Sequence, residues 1–171
     1  MAKRKECAIF MEITMNKTCD ISDEHHPNVQ YLEAGYQSFG GKAVFNGCIQ
    51  TVKCFEDNSL VREKVFSDGT GCVLVVDAGG SRRCAMLGDM LAAKAVENGW
   101  QGVLMFGLIR DSADINQMDI GVKALGTLPL KSVKKGAGEA NIELNFSGVR
   151  FTPGEYLYAD EDGVIVIKEK I

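Results

Sequence analysis

Four charged residues, Asp89, Arg110, Asp111 and Asp114, hold the chemistry this chain could perform. Asp89 follows Gly88 in a Gly-Asp-Met-Leu turn, and Arg110-Asp111 closes the apolar run VLMFGLIRD. Charge at the end of a buried strand is poorly explained by solubility. It is better explained by a site that needs an acid, a base or a metal ligand on rigid backbone. Arg can grip a carboxylate through two parallel hydrogen bonds. Asp can hold a divalent cation directly or through water. The alternative for Arg110 and Asp111 is a surface ion pair, which is worth little. Adjacent residues on a strand alternate in direction, so these two need not pair with each other.

The Gly88 turn adds an electrostatic element. If a helix starts there, the free amides of Asp89, Met90 and Leu91 form a small anion site. The alternative is a glycine that permits a close helix–strand contact, with Asp89 as a helix-end charge.

These residues need elements to position them. TCDISDEH predicts a first helix, with Thr18 or Ser22 as its cap. FGGKAVFNGCIQTVKCF alternates between Gly-Gly and Asn-Gly and predicts paired strands. NSLVREKVF predicts a short helix capped near Asn58 or Ser59. GCVLVVDAGG is continuously apolar, which predicts a strand buried on both faces. CAMLGDMLAAKAVENG predicts the next helix, with Leu87, Leu91 and Ala95 on one face and Asn98-Gly99 as its stop. QGVLMFGLIRD is a second buried strand, so the three together predict a right-handed βαβ unit. IGVKALGTLPLKS predicts a further strand. The C-terminal third reads as strand and turn, with turns at Pro153-Gly154 and Asp162-Gly163. The expected fold class is α/β, in one domain spanning residues 1–171, with residues 1–16 partly flexible.

Other motifs carry less. VVDAGGSRR lacks the spacing of a phosphate loop, although Arg82 and Arg83 could line a pocket for an acidic ligand. His25-His26 reads as a solvated face, and KKGAGEANIE, around Glu139, as a flexible connector.

Composition bounds the class. The 171 residues are 46% hydrophobic and 25% charged, ordinary for a globular domain with a real core. A net charge of -4 argues against direct nucleic-acid binding. The basic cluster Lys3 to Lys5 reads as a tail. No apolar stretch approaches the roughly 20 residues of a membrane span, and no signal core is present, so neither membrane nor export is expected. Cys7, Cys19, Cys48, Cys54, Cys72 and Cys84 form no Cys-x-x-Cys pair. Buried free thiols and a cytoplasmic location are expected, and a zinc site is not.

Several segments carry a family resemblance: CDISDEH, FGGKAVFNGCIQTVKCFEDN, VLVVDAGGSRRCA, NGWQGVLMFGLIRD, DIGVKALG and FSGVRFTPGEYLYADEDGVIV. Over residues 18–167 the chain resembles the family of the regulator of ribonuclease E activity A. The wider superfamily includes class II aldolases that cleave 4-hydroxy-4-methyl-2-oxoglutarate and decarboxylate oxaloacetate. Their motif is Asp, twenty residues, Arg-Asp, then a nearby acidic residue. Asp89, twenty intervening residues, Arg110-Asp111 and Asp114 match it in type and spacing. The regulator proper carries Gln where this chain has Asp111.

The resemblance implies a swivelling-domain type of α/β/β sandwich and a homotrimer, or a dimer of trimers, with sites between subunits. It implies a 2-oxo acid bound by Gly88, Asp89, Met90, Leu91 and Arg110. It further implies a divalent cation, Mg²⁺ or else Mn²⁺, held by Asp111 with Asp114 orienting its waters. Asp89 and Arg110 are then the catalytic pair. The aldolases also reach into the neighbouring site with a C-terminal acidic residue. This chain ends at Ile171, so metal and keto-acid binding are expected ahead of efficient aldol cleavage. The alternative function is a non-catalytic protein that binds and inhibits a ribonuclease, its acidic surface competing for basic RNA-binding segments.

Overall fold

The computed structural model describes residues 17–171; the tail reading of residues 1–16, with Lys3 to Lys5 and Cys7, lies outside them. The elements run α1 (Thr18–His25), β1 (Gln30–Tyr31), β2 (Gln37–Phe39), β3 (Phe45–Lys53), α2 (Ser59–Val65), β4 (Cys72–Asp77), β5 (Ala85–Leu87) and α3 (Asp89–Glu97). They continue with β6 (Gly102–Ile109), α4 (Ser112–Ile115), β7 (Gly121–Thr127), β8 (Glu139–Ala140), β9 (Leu144–Phe146), β10 (Val149–Phe151), β11 (Tyr156–Ala159) and β12 (Val164–Ile167).

The main sheet runs β1-β12-β11-β3-β4-β6-β7-β2, with β5 added to β6 and β8 to β3. Its centre, β3, β4, β6 and β7, is parallel, because a helix returns the chain between each successive pair. The continuous apolar character of β4 has its predicted meaning. Leu74 and Val76 pack toward the helices with Val61, Ala92 and Ala95. Val73 and Val75 face the other way, onto Phe146, Val149 and Phe151 of the β9–β10 hairpin. The result is three layers, helices on a sheet on a hairpin, and it is an α/β/β arrangement.

Three expectations are corrected. Asn46-Gly47 is not a turn: both residues lie inside β3, and β2 pairs with β7 instead. Gly47 serves a close strand approach, since a Cβ there would meet the Gly71 carbonyl oxygen at 2.7 Å. The helix expected from Cys84 begins only at Asp89, because Ala85–Leu87 first pairs with β6 as β5. Its buried face is Ala92 and Ala95, with Leu91 half-buried. Asn58 holds the cap position of α2, as expected, but its side chain makes no cap bond. Asp57 Oδ1 accepts the Ser59 N–H at 2.9 Å. The third correction is α1: neither Thr18 nor Ser22 is its cap, and Asp160, distant in sequence, accepts the Thr18 N–H at 2.7 Å.

Cys19, Cys48, Cys54, Cys72 and Cys84 are free, but only Cys54 and Cys84 are buried. Burial pushes the Cys54 thiol up to about 12. No helix among the described residues is long and apolar enough to cross a membrane.

Candidate functional site

β6 delivers Arg110 to the end of the sheet, where its N–H still bonds the Leu87 carbonyl at 2.9 Å. The chain then turns at Asp111, which adopts a left-handed conformation (φ 55°, ψ 37°). Asp tolerates that region better than most residues. The turn opens α4: the Asp111 carbonyl accepts N–H groups from Asp114 and Ile115 at 3.1 and 3.0 Å. Because Asp111 has left the strand, the alternation rule no longer separates it from its neighbour. Arg110 Nε and Asp111 Oδ2 lie 3.4 Å apart, so the two do pair.

The same Oδ2 accepts the Asp89 N–H at 3.2 Å, and Asp89 Oδ1 accepts the Met90 N–H at 2.8 Å. Two of the three amides expected to be free at the start of α3 are therefore engaged within the site. Gly88 makes the convergence possible. A Cβ at this position would meet Asp111 Oδ2 at 2.8 Å and Arg110 Nε at 3.3 Å. One carboxylate oxygen thus joins the end of β6 to the positive end of a helix. Asp114 stands on α4, exposed, and is linked to Asp111 through backbone.

Arg110 lies between two concavities. One is lined by Gly88, Asp89, Met90 and Leu91, by Asn58, Arg62 and Phe66 around α2, and by Lys131, Ser132 and Lys134. The other contains Asp111, Ser112, Ala113, Thr127, Leu128 and Pro129, and the Arg110 Nη1 donates to the Pro129 carbonyl at 3.4 Å. Sequence reasoning missed Asn58, Arg62, Lys131, Ser132 and Lys134. The only signal was the basic LKSVKK stretch after Pro129.

The weaker candidates fall elsewhere. Arg83 is committed to Glu56 at 2.6 Å, and neither it nor Arg82 lines the Arg110 pocket. Glu139 is not in a mere connector; it pairs with Lys53 as β8 on β3.

Asp57, just ahead of α2, is 2% exposed. Burial alone would raise its carboxyl, yet hydrogen bonds from Ser59, Ala137 and Lys135 outweigh burial and hold it down to about 2. A carboxylate depressed below its unfolded value of about 4 stabilises the fold above that value. The contribution is lost as pH falls from about 4 through about 2. Asp57→Asn should therefore be less stable than the parent at pH 7, by about 2 kcal/mol, the scale of a charged hydrogen bond. That gap should close toward pH 2 in urea titrations. A gap independent of pH would show that the charge contributes nothing.

The three-layer fold agrees with the comparisons. The RraA-like family model, described as Aldolase/RraA, matches residues 18–166. The chain belongs to that family. A relative from Dechloromonas aromatica, named "Putative 4-hydroxy-4-methyl-2-oxoglutarate aldolase", is 55% identical over 154 residues, 88% of this chain and 94% of the relative. A solved structure from Geobacillus kaustophilus, named as an S-adenosylmethionine: 2-dimethylmenaquinone methyltransferase, is 52% identical with a TM-score of 0.89. The match covers 91% of this chain and 96% of that one. The RNA-processing inhibitor RraA from Thermus thermophilis is 44% identical with a TM-score of 0.88, covering 91% and 94%.

Proposed function

We propose that the chain is a divalent-metal-dependent lyase acting on 2-oxo acids, by aldol cleavage of 4-hydroxy-4-methyl-2-oxoglutarate, decarboxylation of oxaloacetate, or both. The observation that supports this most is the meeting of Arg110, Asp111 and the start of α3 on one carboxylate oxygen.

Among the described residues no three His, Cys, Asp or Glu side chains cluster as a metal cage. A single Asp at a cleft suits a hard cation that keeps several waters, so the donor set fits Mg²⁺ or Mn²⁺ better than zinc. Asp111 would hold the cation, and Asp114 would orient its water shell. When bound, the cation supplies Lewis acidity where negative charge develops on the substrate. Arg110 grips the substrate carboxylate with its planar fork and neutralises the developing charge. The amide end of α3, at Gly88, Asp89, Met90 and Leu91, adds partial positive charge. Asp89 holds a water that carries the proton to or from the substrate carbon. A homotrimer or dimer of trimers, with the site completed between subunits, is part of the proposal, as is a cytoplasmic setting.

The second reading is inhibition of a ribonuclease without catalysis. The 44% identity to an RNA-processing inhibitor favours it. Asp111 separates the two, since pure binding has no need of a carboxylate there. Purified protein should release pyruvate from oxaloacetate with Mg²⁺ and stop when a chelator is added. Release no faster than the uncatalysed rate, with metal present, would make inhibition the better account.

A further inference from the structure

The wall opposite Arg110 is residues 130–137, and it is latched from two sides. On the β5 side, the Ala85 N–H donates to Leu130 at 2.7 Å, and the Ser132 N–H donates back to Ala85 at 3.2 Å. On the α2 side, Asp57 Oδ2 accepts the N–H groups of Lys135 and Ala137 at 2.8 and 3.1 Å. Ser59 Oγ takes the Gly136 N–H at 2.9 Å and in turn donates to Asp57 Oδ1. A buried carboxylate is costly unless fully bonded. Here its partners include main-chain N–H groups of the wall, so its charge is used to set the position of a loop.

That wall carries Lys131 and Lys134 into the pocket, and α2 adds Arg62. With Arg110, itself paired to Asp111, they make four cations along a pocket lined by one carboxylate, Asp89, in a chain of net charge -4. None of Arg62, Lys131 and Lys134 forms an ion pair among the described residues. The Arg62 guanidinium lies 4.5 Å over the Phe66 ring, which orients it at the rim. A second, independent observation also points to a ligand. Ser132 Oγ, in a residue 7% exposed that lines this pocket, has no hydrogen-bond partner, and its hydroxyl can donate to an anion. Polar groups left in that state are expensive.

We propose that residues 131–134 and Arg62 form a subsite for a second anionic group of the ligand, a carboxylate or a phosphate, and that Asp57 is its positioning residue. The proposal rests on the reading in which Arg110 takes the 2-oxo acid end. Both substrates proposed above carry a second carboxylate, and the subsite assigns the residues that receive it.

Calorimetric titration of the whole protein with Mg²⁺ present tests this with three probes. These are 2-oxobutyrate, with one anionic end, and 2-oxoglutarate and 3-phosphohydroxypyruvate, each with two. At least one of the latter two should bind about tenfold or more tightly than 2-oxobutyrate, and whichever does so identifies the second group. Arg62→Ala, and Lys131→Ala with Lys134→Ala, should each narrow that ratio about tenfold, as expected for a lost charged hydrogen bond. Asp57→Asn should narrow it too, with all three cations still present. General damage would instead weaken all probes alike and leave the ratio unmoved. Should Asp57→Asn fail to fold, the double lysine variant decides. Equal affinity for all three probes, or variants that weaken them alike, overturns the subsite. A protein that prefers the two-ended probes yet never decarboxylates oxaloacetate overturns the lyase reading and keeps the subsite. Metal-dependent pyruvate release without that preference does the reverse.

Discussion

Asp111→Asn is expected to lower Mg²⁺-dependent oxaloacetate decarboxylation by on the order of a hundredfold, about 3 kcal/mol, with the fold intact. The substitution is chosen for what it preserves. Asn is nearly the same size and, like Asp, tolerates the left-handed conformation at position 111. Its amide oxygen can still accept the Asp89 N–H and face Arg110, as Oδ2 does. What goes is the negative charge offered to a cation. If this carboxylate were only half of a surface ion pair, the change would cost under about 1 kcal/mol of stability and nothing in chemistry. Steady-state rates across a Mg²⁺ titration separate the cases. A variant with the parent's rate and metal dependence would sink the catalytic reading.

Arg110→Lys tests the other half of the pair, and here the charge stays while the shape changes. The guanidinium reaches Asp111 through Nε and the Pro129 carbonyl through Nη1, both in the same concavity, while Arg110 also lines the neighbouring pocket. A lysine ammonium is one compact point and cannot match a carboxylate with two parallel bonds. We expect kcat/KM for oxaloacetate to fall about a hundredfold, through both a lower kcat and a higher KM. Kinetics within about twofold of the parent would show that charge alone suffices, and the proposed grip would be wrong.

The central fold was legible because its signals are local. The runs 72–76 in β4 and 102–109 in β6 are apolar at every position, and only burial on both faces explains that. What escaped was non-local. Asn46-Gly47 has the composition of a hairpin turn, but its glycine is there to let β3 approach Gly71. β5 is three residues long and abuts α3, so helical periodicity absorbed it. In the site, Gly88, Asp89, Arg110 and Asp111 stood out by spacing. Their direct pairing did not, because it depends on a backbone conformation that no spacing reveals. Ser132 and Lys134 meet them only through a loop crossing set by Asp57 and Ala85, far apart in sequence, and Arg62 only through the packing of α2 beside it.

That crossing divides the labour of the cleft. The bonds that hold the wall run from the Asp57 carboxylate and from Ala85 to main-chain groups. Among these bonds none is made by the side chains at 131, 133 or 134, which can be exchanged while the wall keeps its place. Under the proposed subsite, ligand preference can be altered at these positions without disturbing Gly88, Arg110 and Asp111. The cleft is built as a fixed frame with an interchangeable facing.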